Sequence, residues 1–272
     1  MQPFICVTCG VEYPVSEAPP AQCIICDDER QYVGWGGQQW TTRDGMLAEG
    51  RRNHIRPVEP GLHSIGVEPS FAIGQRALLV VTPQGNVLYD CVSLIDDETR
   101  AAIEALGGVQ HICVSHPHFY GAIVSWSQAF GGATIHLPEA DRDFVTRPDP
   151  AIDWWDGAPR TLVPGVTLVQ TGGHFPGSAV LHWEGGADGR GALMVGDSIA
   201  VVPDRRFVSF MFSYPNLIPT SAEVVRAIVR AVDPFEFDRI YGGWWERDVR
   251  SDAKRSVHES AERYIRMIQS SD

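Results

Sequence analysis

The feature that most restricts this chain lies in its first 45 residues, where two Cys-x-x-Cys pairs stand 13 residues apart. They are formed by Cys6 with Cys9 and by Cys23 with Cys26. The segment around them is rich in proline and glycine and has no apolar periodicity long enough for a core of its own. Two such pairs supply the four sulfur ligands of a tetrahedral metal site, and metal binding can contribute folding free energy directly. The pattern therefore predicts a small metal ribbon over residues 1–45.

This segment resembles zinc ribbons and rubredoxin, in which a glycine also follows the first cysteine pair, as Gly10 does here. Four thiolates close the metal shell and leave no position for a substrate, so the predicted role is structural. We expect zinc, and the rubredoxin resemblance makes an electron-transferring iron the alternative. Two unrelated redox motifs would instead need a strand and a helix around each pair, which the prolines oppose.

Length and composition leave room for one larger domain after the ribbon. The chain has 272 residues, of which 44% are hydrophobic, and this is enough for one sizeable core besides a small appendage. Residues 49–57 have the composition of a polar connector. The larger domain is therefore predicted over residues 60–272.

Charge and apolar pattern argue against several kinds of partner. The formal net charge of -12 disfavours binding to nucleic acids and to anionic membrane surfaces. No run of 18 apolar residues is present, and the first residues lack the basic and apolar regions of a signal peptide. The other two cysteines, Cys91 and Cys113, lie in apolar strand-like runs, which fits a reducing compartment better than a disulfide framework. We expect a cytoplasmic protein that binds neither nucleic acid nor membrane.

The larger domain alternates short strands with helices, which predicts an α/β fold with many antiparallel neighbours. The third of its helices has a capping-box signature that begins at Thr220. The predicted helices cover residues 96–106, 120–130, 220–232 and 249–268. The predicted strands cover residues 76–82, 86–91, 110–115, 133–137, 166–171, 179–184, 192–196 and 239–241.

Three histidines and one aspartate come directly after predicted strands. His116 and His118 stand two residues apart in an extended segment, so that their imidazoles point to the same side. His174 follows a second strand and Asp197 a third. Because side chains at strand ends meet along one edge of a sheet, the pattern predicts a second metal site.

Taken in order, these motifs resemble those of the metallo-β-lactamase superfamily over most of residues 70–250. The resemblance implies an αββα sandwich, preceded here by the ribbon, and a metal-dependent hydrolase that acts on a small molecule. The matching segments are Leu88-Tyr-Asp90-Cys91 for the family's Leu-x-Asp strand, His116-Pro-His118 for the first half of His-x-His-x-Asp-His, Gly173-His174-Phe-Pro-Gly177-Ser178 for Gly-His-Thr-Pro-Gly-Ser, and Gly196-Asp197 for Gly-Asp.

The sequence departs from the family where a second metal ion would be held. The family's Asp-His pair falls on Tyr120 and Gly121, and its last histidine falls on Gly243. None of these residues offers a carboxylate or an imidazole. The resemblance therefore implies a single ion held by His116, His118 and His174 with one open position, as in catalytic zinc sites. Zinc is the expected metal here too, with iron as the alternative.

Two further roles follow from the resemblance. Asp197, which bridges two metals in the family, would here be a fourth ligand or a base that accepts a proton from water. Tyr120 lies two residues past His118, so its hydroxyl could donate to a bound substrate, or the ring could pack over the site. The aromatic stretch over residues 207–215 fits a pocket wall, a buried core or a homodimer interface equally well.

Two functions are compatible with these observations. The first is zinc-dependent hydrolysis of a small ester, lactone or thioester at the histidine site. The second is a role without hydrolysis on the same fold, such as metal binding, partner binding or redox chemistry through an iron-loaded ribbon. The three intact histidines favour the first function, and the missing ligands of the second ion favour the second.

Overall fold

The computed structural model describes residues 2–270, which fold into two compact units. The first contains the described residues up to Leu137 together with Arg142–Trp155, and the second contains Pro138–Asp141 and the residues from Asp156 onward. Each unit has its own mixed sheet and its own hydrophobic core. The separate domains expected over residues 1–45 and 60–272 stay a prediction.

The N-terminal segment forms a small antiparallel sheet followed by a short helix. The strands, in the order β2-β1-β3, and the helix are β1 (Pro3–Cys6), β2 (Glu12–Val15), β3 (Trp40–Thr41) and α1 (Arg43–Ala48). Thr42 begins the helix, because its hydroxyl accepts a hydrogen bond from the Gly45 amide at 3.1 Å. These strands have at most four residues, so they are too short to show the alternation that marks a strand in sequence.

The larger sheet of the first unit has seven strands in the order β10-β9-β8-β7-β6-β5-β4. Residues 49–57, predicted as a connector, lie largely in β4 (Arg52–Glu59), which pairs antiparallel with β5 (Leu62–Glu68). Strand β4 lies at the edge of the sheet and has charged, partly exposed side chains, so its sequence resembles that of a polar connector. The strands are β4 (Arg52–Glu59), β5 (Leu62–Glu68), β6 (Arg76–Val80), β7 (Val87–Tyr89), β8 (His111–Cys113), β9 (Thr134–Pro138) and β10 (Ile152–Trp155).

The strand that leads to His116 and His118, β8, runs parallel to both of its neighbours. Strands β6 and β7 form an antiparallel hairpin, and β7, β8 and β9 pair in parallel. The crossover from β7 to β8 contains α2 (Asp97–Ala105), and the crossover from β8 to β9 contains α3 (Ile123–Ala129). Helix α3 begins three residues later than predicted, because the chain first makes a 3-10 turn at Pro117–Phe119 and only then enters the helix.

The second unit is built on a six-stranded sheet in the order β11-β12-β13-β14-β17-β18, with β14 and β17 parallel. Its strands are β11 (Arg160–Val163), β12 (Val166–Gln170), β13 (Ala179–Trp183), β14 (Ala192–Met194), β17 (Arg239–Tyr241) and β18 (Asp248–Val249), and a separate pair is formed by β15 (Ala200–Val201) and β16 (Val208–Ser209). Its helices are the one-turn α4 (Gly186–Gly189), α5 (Ala222–Val232) and α6 (Ala253–Gln269).

Two helix starts in this unit differ from the predictions. The cap of α5 is Ser221, whose hydroxyl accepts from the Val224 amide at 3.3 Å, so the capping residue is one later than Thr220. Helix α6 begins at Ala253, because Val249 is part of β18. Among the described residues, no helix combines the length and apolar character that a membrane crossing requires.

The ribbon shares the hydrophobic core of the first unit. Val11 and Tyr13 of the ribbon belong to the same buried cluster as Leu88 and Ile112 of the large sheet and Trp126 of α3. Burial of this apolar surface provides the packing that the ribbon cannot supply from its own residues. The core of the large sheet is therefore what holds the N-terminal segment in place.

A buried charge network fastens β2 of the ribbon to the first unit. The Ser125 hydroxyl donates to both carboxylate oxygens of Glu12 at 2.9 and 2.7 Å, and the Arg147 guanidinium pairs with the same carboxylate. The Glu12 side chain is only 6% exposed and that of Arg147 17%. Burial raises the pKa of Glu12, while Ser125 and Arg147 act in the opposite direction.

We predict that Arg147→Ala lowers the free energy of unfolding by about 3 kcal/mol, because it leaves the Glu12 carboxylate buried without its cation. Since the pKa of Glu12 is higher in the folded than in the unfolded chain, the loss should shrink as the pH is lowered and the carboxyl takes up its proton. Urea unfolding at several pH values measures both effects.

The control for this prediction is Arg100→Ala, which removes an exposed pair with Glu104 on α2. Exposed pairs of this kind contribute little, so the expected change is about 0.5 kcal/mol or less. Equal losses for the two variants at neutral pH would contradict the role assigned to the buried network.

Candidate metal centres

The four cysteines of the ribbon come together, with their sulfur atoms all within 4.8 Å of one another. The Sγ atoms of Cys6 and Cys26 are 3.6 Å apart, as are those of Cys9 and Cys23, and all four residues are buried free thiols. Four sulfurs placed about 2.3 Å from a tetrahedral ion would lie about 3.8 Å from each other. The cluster therefore has the dimensions of a four-thiolate metal site.

Polar groups around the cluster support this arrangement. The Gln38 side chain donates to Cys6 Sγ at 3.2 Å and accepts from the Cys23 amide at 3.2 Å, so that it connects both knuckles. Hydrogen bonding by Cys23 lowers the pKa of Cys6, whereas burial raises the pKa of Cys9. A cation bound among the four sulfurs would favour the thiolate form of all four.

In the first unit, His116 and His118 stand directly after β8. Both are buried, and their ring centroids are 5.1 Å apart with the ring planes at 78°. The Asp90 carboxylate accepts from the Ser115 amide at 2.6 Å, and the Ser115 hydroxyl lies 2.9 Å from Nδ1 of His116. When Nδ1 donates its proton to that hydroxyl, Nε2 carries the lone pair that a metal requires. Asp90 therefore acts on the backbone just before the first histidine.

In the second unit, His174 follows β12 and Asp197 follows β14. Nε2 of His174 is 3.7 Å from a carboxylate oxygen of Asp197, and both side chains are buried. The Ser198 hydroxyl donates to the Gly172 carbonyl at 2.7 Å and lies 3.5 Å from the His174 amide, so it ties the two loops together. Burial raises the pKa of Asp197 to about 7. A cation beside it would shift this balance toward the carboxylate.

Each unit contributes two potential metal ligands: His116 and His118 in the first, and His174 and Asp197 in the second. Three imidazoles and a carboxylate are ligand types that suit zinc and other divalent transition metals. Burial of all four favours their use as ligands, because a buried carboxylate needs a cation or hydrogen-bond donors. The donor set therefore fits a metal ion.

A model of the metallo-β-lactamase superfamily matches residues 72–244 of the chain. The uncharacterized protein YmaE of Bacillus subtilis (strain 168) is 46% identical over 268 residues, covering 98% of this chain and 97% of that protein. The chain belongs to the metallo-β-lactamase superfamily. The predicted fold class, an α/β metallo-β-lactamase fold with a four-cysteine segment at its N-terminal end, is confirmed.

Solved metallo-β-lactamases share this fold at low sequence identity. The mono-zinc form of FIM-1 from Pseudomonas aeruginosa gives a TM-score of 0.56 at 14% identity and covers 78% of this chain and 95% of its own. A HARLDQ-motif mutant of the metallo-β-lactamase from Cronobacter sakazakii gives 0.51 at 21% identity, over 79% of this chain and 96% of its own. At these identities the likeness describes the fold alone.

The position of the superfamily's Asp-His pair is occupied by Tyr120 and Gly121. Tyr120 is buried in the core of the first unit, and its catalytic role stays a prediction. Gly121 has φ of +50°, and a Cβ atom there would lie 2.8 Å from the Cys91 carbonyl oxygen. The Gly121 carbonyl accepts from the Glu12 amide at 3.0 Å. The backbone at this point is thus packed against two segments and leaves no room for an imidazole.

The aromatic stretch over residues 207–215 divides between core and surface. Phe210 is buried in the core of the second unit, whereas Tyr214 is 47% exposed and stacks on Trp244 with ring centroids 5.9 Å apart. Trp244 stands three residues past β17, and Asp197 stands three residues past its parallel neighbour β14. The stacked pair therefore belongs to the sheet edge that carries Asp197.

Several supporting residues could not be found from the sequence. Gln38, Glu12 and Ser198 belong to no recognisable motif, and each acts on a residue distant along the chain. Of the three, only Ser198 could have been suspected from the sequence, because it follows Gly196-Asp197, the segment that resembles the superfamily's Gly-Asp motif. Hydrogen bonds between residues so far apart in the sequence form only when the chain has folded.

We predict that Gly121→Ala destabilises the protein more than Gly131→Ala does. Both glycines have positive φ, but a Cβ at Gly131 would meet nothing within 4 Å, so its cost is only the left-handed strain of about 1–2 kcal/mol. Gly121→Ala should add about 1–3 kcal/mol for overpacking against Cys91. Urea unfolding of the two variants measures the difference, and equal losses would show that the close approach is not rigid.

Proposed function

We propose that this protein is a mononuclear metal-dependent hydrolase that acts on a small ester, lactone or thioester. The observation that carries the proposal is that a metallo-β-lactamase chain keeps three buried histidines and one buried aspartate as potential metal ligands, while its second-ion positions hold Tyr120 and Gly121. Three histidines with an open position form a recognised catalytic arrangement, and zinc is the metal that suits them best.

In this proposal, His116, His118 and His174 are the ligands of the single ion. When bound there, such an ion supplies Lewis-acid chemistry, since it polarises a carbonyl oxygen and makes water a better nucleophile near neutral pH. Ser115 and Asp90 hold the first histidine through the contacts described above, so its imidazole needs little rearrangement to bind.

Asp197 and Tyr120 are proposed to act on protons. The Asp197 carboxylate lies beside His174 and is suited to accept the proton of the attacking water, or to serve as a fourth ligand. Tyr120 follows the second histidine by two residues, and its hydroxyl is the proposed hydrogen-bond donor to the substrate. Its burial in the core also supports a purely packing role, and the variants below separate the two.

The surface near Asp197 favours a small-molecule substrate with an apolar or aromatic group. Tyr214 stacks on Trp244 there, and Leu217, in the same loop as Tyr214, is 84% exposed. Exposed apolar side chains grouped beside a catalytic residue commonly contact the substrate. The same surface could join two copies of the chain, which makes a homodimer the alternative use.

We predict two zinc ions per chain, one in each group of ligands. Elemental analysis of the parent protein should give a stoichiometry near two, and His116→Ala with His174→Ala should remove one ion. Cys6→Ser with Cys9→Ser should remove the other. One ion that is lost only with the cysteines would make the histidine site a scaffold without metal. A red protein containing iron would support the redox alternative instead.

We predict that the zinc-loaded protein hydrolyses ester, lactone or thioester substrates in a screen of these classes. His174→Ala should abolish turnover, and Asp197→Asn should lower kcat by about 10²- to 10⁴-fold if the carboxylate is the base. Tyr120→Phe should lower kcat only if the hydroxyl contacts the substrate. His258→Ala, which changes an exposed histidine paired with Asp233, is the control and should leave turnover unchanged. A protein that carries both ions but turns over none of these substrates would contradict the proposal.

A further inference from the structure

We infer that the ribbon positions the metal-binding turn that follows β8, with Glu12 as the positioning residue, so that metal in the ribbon strengthens metal binding at the histidine site. This inference rests on the proposed metal site but not on hydrolysis. It concerns contacts within the first unit, where both the ribbon and His116 and His118 lie.

The first contact joins the ribbon to the turn directly. The Val11 carbonyl accepts from the Cys6 amide at 3.0 Å, which closes the first cysteine knuckle. The next residue, Glu12, donates its amide proton to the Gly121 carbonyl at 3.0 Å. Gly121 is three residues past His118. A hydrogen bond therefore connects the end of the cysteine knuckle to the end of the histidine turn.

The second set of contacts places the ribbon and the turn on the same support, the segment Cys91–Ser93 after β7. The Cys91 amide donates to the Phe119 carbonyl at 3.2 Å, and the Ala122 amide donates to the Val92 carbonyl at 3.3 Å. The ribbon packs on Ser93 of this segment, because Gly10 lies so close that a Cβ there would be 2.2 Å from the Ser93 hydroxyl. The turn is thus held by this segment and also by Glu12.

Side-chain contacts explain why Glu12 can hold the turn firmly. Its carboxylate is fixed by Ser125 and Arg147, and its carbonyl accepts from the Thr146 hydroxyl at 2.7 Å. Ser125 belongs to α3, the helix that starts just after the turn. The backbone of Glu12 therefore binds the turn, and its side chain binds the helix that follows the turn.

These contacts have a thermodynamic consequence. A four-thiolate segment without its metal loses part of its folding free energy, so β2 would hold Gly121 less firmly and the turn would become more mobile. Ordering a mobile turn upon metal binding costs conformational entropy, which weakens the affinity. Coupling between two sites commonly amounts to a factor of about 5 to 150, and it must be equal in both directions. We expect about tenfold here.

The test uses Co²⁺ as the probe, because thiolate-to-cobalt charge-transfer bands report on the ribbon and weaker visible d–d bands report on the histidine site. Competition with a chromophoric chelator gives the affinity of each site in the full chain. The variants are Glu12→Ala, which removes the side-chain anchor, and Glu12→Gln, whose amide can still accept from Ser125. Cys6→Ser with Cys9→Ser removes the ribbon metal.

Two controls separate positioning from general destabilisation. Glu17→Ala makes the same chemical change at an exposed residue of the ribbon. Val257→Ala removes buried apolar contacts in α6 of the second unit, so it lowers stability without touching the turn. Both should leave the cobalt affinity of the histidine site at the parental value.

The expected result is about a tenfold loss of histidine-site affinity in Glu12→Ala and in the cysteine variant, with affinity near the parental value in Glu12→Gln. By reciprocity, His116→Ala with His174→Ala should lower the cobalt affinity of the ribbon by the same factor. If Glu12→Ala and the cysteine variant keep the parental cobalt affinity at the histidine site, the inference fails but the proposed metal site stands. The same holds if Val257→Ala loses as much affinity as Glu12→Ala. A parent protein that binds no ion at its histidines would overturn the metal site and the inference together.

Discussion

Parallel strand pairing decides where the loops of Asp90, His116 and Asp197 begin, whereas His174 follows the antiparallel strand β12. In the first unit, β7 ends just before Asp90 and its parallel neighbour β8 ends just before Ser115 and His116. In the second unit, β14 and β17 end in the same way before Asp197 and Gly243. Because the carboxyl ends of parallel strands open at one edge of a sheet, short loops there can bring side chains that are far apart in sequence close together.

The ribbon lies in the first unit and needs support from the rest of that unit because it is small. A segment of about 45 residues cannot bury enough apolar surface by itself, so both a metal and an external core are needed. The structure provides the external core through Val11 and Tyr13 and the buried charge network through Glu12. The cysteine site and the large sheet therefore stabilise the same body of the protein.

One backbone position, Gly121, links two departures of this chain from its superfamily. The superfamily has a metal-binding histidine there, whereas this chain has a glycine whose carbonyl binds the ribbon and whose missing Cβ allows contact with Cys91. A histidine side chain would need space that these segments fill. The proposed loss of the second ion and the docking of the ribbon thus involve the same backbone position.

The fold class, the two sets of candidate ligands and most helices and strands of the larger domain could be predicted from the sequence. These features rest on local rules, namely side-chain periodicity, Cys-x-x-Cys turns and ligands placed just after strands. The predictions missed β4, whose charged edge position hides the pattern of a strand, and the short ribbon strands. The contact between Glu12 and Gly121, and the hydrogen bonds by which Ser198 joins the loop of His174 to that of Asp197, could not be predicted from the sequence. Such contacts join residues far apart in the chain, and their energy comes from burial and hydrogen bonding that exist only once the core has formed.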